Sequence, residues 1–352
     1  MKICMIIEDY PPNCGGGGIA VYEISKRLAK NHEVTVVTCA RKNRPQKYSE
    51  EGVNVIRLGS NRLSFFFLVL KHLLSEQSLD VYHAHGTFCG LIAKLVSSIK
   101  KKPVILHLHG YRPKSFSAIK YYLQNFIIKL GFDRIISADK YALMEVEKIG
   151  VNKNKLYEIK FGVDTELFRP KKIKRTLALL FVGRLVKVKG IDLLLDAVKQ
   201  LKPGEIELWI IGDGELETKL KALAAEHEIN AKFFNSVPRE KLVDYYASAK
   251  FLVLPSFSEG QGLVLYESLA SGTPIIVSDI PSLKETAESC GAGFIFRKGD
   301  AFDLTTVIRN CISINEIEYK KLSENARKFA EGFSWERTAR DLEKIYRVIP
   351  DA

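Results

Sequence analysis

The sequence of 352 residues lacks the features that identify several common classes of protein. Its six cysteines include no Cys-x-x-Cys pair, so they indicate neither a zinc ribbon nor a dithiol redox site, and we expect reduced thiols. No apolar run reaches the ~20 residues needed to span a bilayer. A strand-like run follows Lys2 directly, so no signal peptide is visible. These absences predict a cytoplasmic protein without membrane-spanning segments.

The net charge of +12 is concentrated in the first half of the chain. Residues 1–165 carry 25 Lys and Arg against 14 Asp and Glu, a net of +11, whereas residues 166–352 have a net charge of +1. This asymmetry predicts an anionic partner for the first half only. The anionic inner leaflet of a membrane is one candidate, and a solvated lysine-rich surface is the alternative. Nucleic acid is not expected, because the sequence has few interleaved aromatic and arginine residues.

Short β-branched segments alternate with helical patterns along the whole chain. This alternation predicts an α/β fold of doubly wound parallel sheets covered on both faces. Strands are predicted at 1–7, 33–38, 53–58, 80–84, 103–108, 133–137, 156–160, 177–182, 206–211, 231–234, 250–254, 274–277 and 293–296. Helices are predicted at 19–30, 63–76, 87–99, 115–130, 139–149, 190–201, 215–228, 239–247, 262–271, 301–310 and 336–348.

The chain is too long for one ordinary domain and fits two. A proline followed by a basic stretch with few apolar residues predicts the linker at 168–175. We therefore expect one Rossmann-like domain over residues 1–168 and a second over 169–332. Ligands of open α/β sheets bind beyond the carboxyl ends of the strands, so the loops at those ends should carry the chemistry.

The most informative segment is LPSFSEGQGLVLYESLASGTPII, residues 254–276. A glycine-flanked loop that contains Glu259 runs into a predicted helix start near Gly262, and Glu267 follows Glu259 by eight residues. The first amides of a helix have no intrahelical partner and can meet an anion. Amides for a phosphate group and carboxylates for hydroxyl groups together suit a nucleotide-sugar. The alternative is a helix with two solvated glutamates.

Two further loops that follow predicted strands suit phosphate groups. Gly15–Gly18 come after the first strand, where free amides and close backbone approach favour a bound ligand over a plain turn. The second loop places Arg184 and Lys189 between a strand and a helix. These two cations can neutralise a leaving diphosphate, on which negative charge develops in the transition state. An ordinary solvated basic loop is the alternative for the second segment.

Four histidines occur in two His-x-His-Gly strings, the first with His83 and His85 and the second with His107 and His109. Both members of a pair point to one face if the strand continues that far. Two such strand ends side by side could hold a metal ion. We favour instead a single histidine that donates a hydrogen bond to substrate, namely His109 at the strand exit, with the other three structural.

The helical segment at 115–130 is rich in aromatic residues and contains Lys120 and Lys129. It could lie on a membrane surface with the help of the lysines at 100–102 and Lys114. The alternative, which we favour slightly, is an amphipathic helix that faces the core and leaves its lysines in solvent.

The order and spacing of these strings resemble the retaining glycosyltransferases of family four over essentially the whole chain. The resemblance implies the GT-B fold, in which two facing Rossmann-like doubly wound domains enclose an interdomain cleft. It further implies that the first domain lies on the acceptor side, that the final segment at 333–352 completes it, and that the second domain binds the nucleotide-sugar. The segments that carry the resemblance are PPNCGG at 11–16, DVYHAHG at 80–86, HLHG at 107–110, FGVDTELFRP at 161–170, FVGRLVKVKG at 181–190, GDGE at 212–215, residues 254–276, and FSWERTARDLEKIY at 333–346.

The resemblance implies catalytic roles for four residues. Arg184 and Lys189 match the pair that holds the donor diphosphate. Glu259 matches a glutamate near the donor sugar, and His109 matches a histidine that faces the transferred sugar.

The resemblance also implies five positions that bind substrate. Glu267 matches the glutamate that binds the ribose hydroxyls. The amides of Gly262 and Leu263 match those that approach the sugar and phosphate, and Gly15 and Gly16 match the paired glycines of the first loop. The chain departs from residues usual in the family at Gly18, Phe161, Asn235 and Gln261.

The sequence therefore predicts an enzyme that moves a hexose from a UDP-sugar or GDP-sugar to a hydroxyl of a glycan or lipid-linked glycan, with retention of configuration. No cofactor or metal requirement is expected, because cations occupy the diphosphate loop and no Asp-x-Asp string lies at a strand end. The expected location is the cytoplasm, with the basic first domain held at the inner face of the membrane. A nucleotide-sugar 2-epimerase on the same fold and a non-catalytic protein that binds anions or membranes are the alternatives.

Overall fold

The chain folds into two compact units. The first consists of Met1–Phe161 and Trp335–Ala352, and the second of Gly162–Ser334. The structure is a computed structural model that describes residues 1–12, 14–111, 117–202 and 204–348.

The segment predicted as the linker, residues 168–175, lies within the second unit. Phe168 is fully buried in the core of that unit. The Arg175 guanidinium donates hydrogen bonds to the Ala249 carbonyl at 2.7 Å and the Thr273 hydroxyl at 2.6 Å. Arg175 therefore ties this basic segment to the second unit.

A mixed sheet forms the centre of the first unit. Its described strands are β1 (Lys2–Ile6), β2 (Glu33–Cys39), β3 (Lys47–Glu50), β4 (Val53–Leu58), β5 (Val81–His85), β6 (Val104–Leu108), β7 (Arg134–Ser137) and β8 (Leu156–Glu158). They lie in the order β3-β4-β2-β1-β5-β6-β7-β8, and the neighbouring strands are parallel except for the antiparallel pair β3 and β4. β5 and β6 are buried at every position, as expected for central strands covered on both faces.

Helices follow most strands of the first unit, as right-handed crossovers between parallel strands require. They are α1 (Gly16–Leu28), α2 (Arg62–Ser75), α3 (Thr87–Lys100), α4 (Ala118–Ile128) and α5 (Lys140–Lys148).

The second unit repeats this architecture with a fully parallel sheet. Its described strands are β9 (Ala178–Val182), β10 (Glu207–Ile211), β11 (Ala231–Phe234), β12 (Phe251–Leu254), β13 (Ile275–Ser278) and β14 (Gly293–Phe296), in the order β11-β10-β9-β12-β13-β14. Its described helices are α6 (Ile191–Val198), α7 (Glu217–Glu226), α8 (Arg239–Ser248), α9 (Leu263–Ala270), α10 (Pro281–Ser289), α11 (Ala301–Ile312) and α12 (Glu316–Glu331).

The last helix, α13 (Trp335–Arg347), belongs to the first unit and packs against α1. Arg27 Nε donates to a carboxylate oxygen of Glu336 at 2.7 Å across this contact. Within the part of the chain that the structure describes, each helix is too short or too polar to cross a bilayer.

The predicted α/β fold of two doubly wound units is confirmed, and most predicted elements lie within a few residues of their observed bounds. Three elements were not predicted. β3 is a polar and mostly exposed edge strand without an apolar alternation, whereas α10 and α12 are amphipathic helices whose apolar spacing the prediction overlooked. Of the helix predicted at 115–130, residues 115 and 116 lie outside the described residues.

The strand order of each sheet reverses beside its first strand. In the first unit β1 lies between β2 and β5, and in the second unit β9 lies between β10 and β12. The loops that leave the two central strands at such a point diverge and open a crevice at the carboxyl edge of the sheet, where ligands of this architecture bind. The sites described next lie at these two points.

Candidate functional site

The loops that follow β9 and β12 meet at the switch point of the second sheet. Lys189 closes a single 3₁₀ turn after β9, and Glu259 lies in the loop after β12. The Lys189 ammonium forms an ion pair with the Glu259 carboxylate, and both side chains are largely buried. The Phe257 amide also donates to the Val188 carbonyl at 2.8 Å. The carboxyl edge of this sheet therefore carries a sheltered pair of opposite charges.

Gly190 allows the two loops to approach this closely. Its φ is +66°, and a Cβ atom on it would lie 2.2 Å from the carbonyl oxygen of Pro255. A side chain at this position would therefore push the β12 loop away. Because Gly190 directly follows Lys189, the contact helps to fix where the ammonium of Lys189 lies.

The start of α9 lies beside Glu259. Gly262 is the residue that precedes the helix, and a Cβ atom on it would lie 3.4 Å from Cγ of Glu259. Because the residue before the helix is glycine, it offers no side chain to cap the amides of the first turn, which begins at Leu263. The structure therefore brings Glu259, Lys189, Gly262 and Leu263 together, as a site for a phosphate group requires.

Glu267 lies deeper, in the middle of α9, and is almost completely buried. One carboxylate oxygen accepts from a guanidinium nitrogen of Arg239 at 3.1 Å, and the other accepts from the Tyr246 hydroxyl at 3.0 Å. Burial raises the pKa of the Tyr246 phenol well above its usual value, and the neighbouring Glu267 carboxylate raises it further, so Tyr246 is a neutral donor. The alternative of two solvated glutamates is wrong, because both Glu259 and Glu267 are shielded and paired.

Arg184 differs from the other predicted residues of the second unit. It lies in the loop between β9 and Lys189, where its side chain is exposed. Among the described residues it has no ion pair, so its guanidinium is available to a ligand.

The glycine-rich segment and His109 meet in the first unit. Gly15 precedes α1, which begins at Gly16, and as a glycine it offers no side-chain cap to the first turn. The Gly15 amide donates to a carboxylate oxygen of Asp9 at 3.0 Å. A Cβ atom on Gly17 would lie 3.3 Å from Cγ of His109, so the helix start lies against the imidazole. Free amides and a histidine ring thus share one end of this sheet.

The four predicted histidines form one stack along β5 and β6. His107 is the register partner of His85, and its ring stacks on those of His83, His85 and His109 at centroid distances of 5.4, 5.1 and 5.1 Å. Two hydrogen bonds hold the stack, one to α13 and one between two of its own members. His83 Nδ1 shares a 2.6 Å hydrogen bond with the Tyr346 hydroxyl of α13, and His85 Nδ1 shares a 3.0 Å hydrogen bond with His109 Nε2.

Burial keeps all four imidazoles neutral at neutral pH. Desolvation lowers the pKa of His83 from 6.5 to about 3 and that of His109 to about 4. The pKa values of His85 and His107 are also lowered, mainly by burial and to a smaller extent by the neighbouring imidazoles. His109 is the only one of the four that is not fully buried, although among the described residues its Nδ1 atom is buried without a partner and its Nε2 atom is shared with His85.

The geometry of the stack does not suit a metal ion. Ring nitrogens of His83, His85 and His107 lie within 4.8 Å of one another. The planes of His83 and His107 differ by only 8°, however, and those of His85 and His107 by 26°. Nitrogen lone pairs lie in the ring planes, so those of stacked rings run side by side, whereas a tetrahedral zinc site needs them to converge at ~2.0 Å from one point.

Three residues of these sites were missed by sequence reasoning. Asp9 holds the amide before α1, and Arg239 and Tyr246 hold Glu267. Arg239 and Tyr246 are both on α8, which brings them to Glu267 through tertiary packing and not through a local motif. Asp9 could have been found, because a carboxylate directly after a first strand lies at the edge where ligands bind.

Two family models match consecutive parts of the chain. The model described as Glycosyltransferase Family 4 matches residues 14–167, and the model described as Glycosyl transferases group 1 matches residues 163–329. An uncharacterised glycosyltransferase of Methanocaldococcus jannaschii is 27% identical to this chain, and the match covers 100% of this chain and 99% of that protein. A D-inositol 3-phosphate glycosyltransferase of Geodermatophilus obscurus is 26% identical over 96% of this chain and 86% of its own length.

Solved structures share this fold across nearly the whole chain. Sucrose-phosphate synthase of Thermosynechococcus elongatus has a TM-score of 0.87 at 20% identity, covering 99% of this chain and 98% of that one. HepE of Anabaena, in complex with UDP and glucose, has a TM-score of 0.84 at 18% identity, covering 99% of both chains. At this level of identity the two structures establish the GT-B fold.

Proposed function

The chain belongs to the family-4 glycosyltransferases, and from this premise we propose that it transfers a hexose from a nucleoside-diphosphate sugar to an acceptor hydroxyl with retention of configuration. The observation that carries the proposal is the meeting of Lys189 and Glu259 beside the start of α9 at the switch point of the second sheet. A cation, a carboxylate and uncapped amides in one place match the phosphate groups and the sugar hydroxyls of such a donor.

Lys189 and Arg184 are proposed to bind the diphosphate. The bond between the sugar and the diphosphate breaks during transfer, so negative charge grows on the leaving oxygens. Fixed cations and helix-start amides stabilise that charge more in the transition state than in the bound donor, which lowers the barrier. Lys189 is already held in place by Glu259, whereas the exposed guanidinium of Arg184 would close on the diphosphate bidentately.

The two glutamates are proposed to bind hydroxyl groups. Glu259 lies beside Gly262 and would accept hydrogen bonds from the transferred sugar. Glu267 would accept from the ribose. The hydrogen bonds from Arg239 and Tyr246 hold the Glu267 carboxylate in a fixed orientation, and a carboxylate accepts at both of its oxygens.

The first unit is proposed to contribute His109 and the start of α1 to substrate binding. His109 is neutral, so it can donate one hydrogen bond to a sugar hydroxyl without placing a positive charge there. The amides of Gly15 and Gly16 are suited to an anionic group of the substrate, except that the Gly15 amide is held by Asp9 in this structure. Arg41 pairs with the same carboxylate, so an arriving anion could exchange with Asp9 at this amide.

Retention of configuration is proposed to follow front-side attack. The acceptor oxygen would bond to the anomeric carbon on the face from which the diphosphate leaves, and the leaving phosphate oxygen would take the acceptor proton. No protein nucleophile is then required, and the residues of the site act by positioning and charge stabilisation. We propose that no metal ion is needed, because Lys189 and Arg184 supply positive charge at the diphosphate.

The named relatives suggest which substrates to test first. Two HepE structures hold UDP-glucose or UDP with glucose, and several relatives are named D-inositol 3-phosphate glycosyltransferase. UDP-glucose is therefore the first donor to try, followed by GDP-sugars. A glycan or a lipid-linked glycan is the proposed acceptor.

A binding screen followed by a turnover assay tests the proposal. UDP, GDP and ADP and their hexose derivatives are added to the full chain while thermal unfolding is followed, with EDTA present throughout. We expect one diphosphate and its sugar to raise the melting temperature, and we expect transfer to an acceptor to proceed without added metal. Conversion of the donor without an acceptor would indicate the 2-epimerase instead. Absence of stabilisation by every compound would contradict the proposed donor class.

A further inference from the structure

Helix α4 presents an apolar stripe to solvent. Ile119, Tyr122, Leu123 and Phe126 are spaced at i, i+3, i+4 and i+7 and are all exposed, with 82% of Ile119 and 63% of Phe126 accessible. The opposite side of the helix is anchored in the first unit through the buried Ile127 and Ile128. A stripe with this spacing normally faces a protein core, so its exposure indicates an interaction surface.

The neighbouring helices extend the apolar surface. α3 packs against both α2 and α4, so the three helices lie side by side on the first unit. Each has an anchored side and an exposed apolar side. The exposed large apolar residues of α2 and α3 are Leu63, Phe67, Leu68, Leu95 and Ile99.

The charges on these three helices have one sign. None of α2, α3 and α4 contains Asp or Glu, whereas α12 of the second unit contains four glutamates. The three helices carry lysines at 71, 94, 100 and 120, and further lysines follow them at 101, 102 and 129. Part of the net charge of +11 of residues 1–165 is therefore concentrated around the exposed apolar residues.

We propose that α2, α3 and α4 form a docking surface for an anionic lipid bilayer. The exposed apolar side chains would enter the boundary between headgroups and acyl chains, and the surrounding lysines would meet anionic headgroups. Both the apolar side chains and the lysines are needed, because a single interfacial helix or a few lysines alone bind a membrane weakly. The surface lies in the plane of the membrane and does not cross it.

The charge pattern favours a bilayer over a second copy of the chain. A two-fold contact places the same surface of both copies face to face, so lysines would approach lysines without a carboxylate on any of the three helices to pair with them. An anionic membrane offers both an apolar layer and negative charge. The proposal is independent of the transferred sugar, because lipid binding is measured without a donor.

Vesicle flotation with a matched pair of variants tests the proposal. The full chain is mixed with vesicles of phosphatidylcholine, or of phosphatidylcholine with roughly one-quarter phosphatidylglycerol, at low and high salt. The test variant is Ile119→Gln with Phe126→Gln. The control is Ile317→Gln with Phe302→Gln in the second unit, whose side chains are 85% and 68% exposed and therefore match the test pair in type and accessibility.

The wild-type chain and the control variant should float with the anionic vesicles at low salt and be released at high salt. The test variant should bind these vesicles at least about tenfold more weakly, because two apolar side chains no longer leave water. The proposal would be overturned if the test and control variants lost the same amount of vesicle binding. It would also be overturned if the wild-type chain bound uncharged vesicles as tightly as anionic ones, or did not float with vesicles at all. A concentration-dependent dimer that only the test variant abolishes would overturn it as well, since a second copy would then occupy the surface. Melting temperatures of both variants confirm that these exposed substitutions leave the fold intact.

Discussion

The two units have the same doubly wound architecture but use opposite chemistry at their switch points. The second unit places charged groups there, with Lys189 paired to Glu259 and Glu267 held by Arg239. The first unit places neutral imidazoles along β5 and β6, while its excess positive charge includes the lysines on its outer helices. The comparison shows that the sheet decides where side chains converge, whereas the sequence decides whether the groups that meet there are charged or neutral.

Removing the cation of the second unit should have the largest effect. Lys189→Ala is expected to lower kcat/KM by a factor on the order of a hundred or more, because a group that stabilises the leaving diphosphate is lost. Steady-state kinetics with the identified donor provide the measurement. Lys187→Ala is the matched control, since Lys187 belongs to the same turn but is exposed, and it should remain close to wild type. Equal effects of the two substitutions would contradict a specific role for Lys189.

Separating the loops that follow β9 and β12 in the second unit should have the next largest effect. Gly190→Ala places a Cβ against the Pro255 carbonyl at a φ of +66°, and we expect it to lower the free energy of unfolding by about 2 kcal/mol or more. Gly204→Ala is the control, because its φ is +76° but no atom lies within 4 Å of the added Cβ. Chemical denaturation should therefore show a smaller loss for Gly204→Ala. Equal losses would mean that backbone conformation alone, and not the approach of the loops, makes glycine necessary at position 190.

Neutralising the buried carboxylate of the second unit should have a moderate effect. Glu267→Gln keeps the shape but removes the negative charge that faces the partly buried Arg239 guanidinium, at a cost of about 1–3 kcal/mol in stability. Donor affinity should fall as well if Glu267 binds the ribose. Calorimetric titration and thermal unfolding measure the two effects. The control is Glu288→Gln, an exposed partner of Lys284, which should change neither quantity. Unchanged donor affinity for Glu267→Gln would assign this residue a structural role only.

The neutral histidines of the first unit predict a smaller effect that depends on pH. The unfolded chain binds a proton at each of these histidines as pH falls below 6.5, whereas the folded chain does so only near pH 4 at His109 and near pH 3 at His83. The free energy of unfolding should therefore fall as pH decreases from 6.5 towards 4, by up to about 1.4 kcal/mol per pH unit for each histidine. Burial raises the pKa of Asp139 to about 6, which opposes this slope below pH 6 but only for one group.

Tryptophan fluorescence can assign the pH effect to the first unit. The chain has two tryptophans, Trp209 in the second unit and Trp335 in the first, so Trp209→Phe leaves a probe of the first unit alone. In this background His109→Asn should reduce the slope of stability against pH. An unchanged slope would show that His109 already titrates normally in the folded chain.

The sequence predicted most of the framework, because buried parallel strands and amphipathic helices leave clear periodic patterns. It also predicted that Lys189 and Glu259 belong to one site, although 70 residues separate them, since both follow strands at their carboxyl ends. What it could not predict depends on tertiary packing. Neither the Tyr246 hydroxyl on Glu267 nor the Tyr346 hydroxyl on His83 has a local signal in the sequence.

The apolar stripe of α4 shows a different limit of sequence reasoning. The pattern at 115–130 left two alternatives, a helix that faces the core or a helix on a membrane surface. Both have the same spacing of apolar residues, so the sequence could not separate them. The structure separates them in part, because Ile127 and Ile128 are buried while Ile119 and Phe126 are exposed.

A crystal structure of the full chain soaked with its nucleotide-sugar tests the central claim most directly. The account predicts diphosphate oxygens within hydrogen-bond reach, ~2.7–3.2 Å, of the Lys189 ammonium and of the first amides of α9. It also predicts that the sugar hydroxyls lie against Glu259. A diphosphate bound away from the carboxyl ends of β9 and β12, with the pair of Lys189 and Glu259 undisturbed and out of reach, would contradict it.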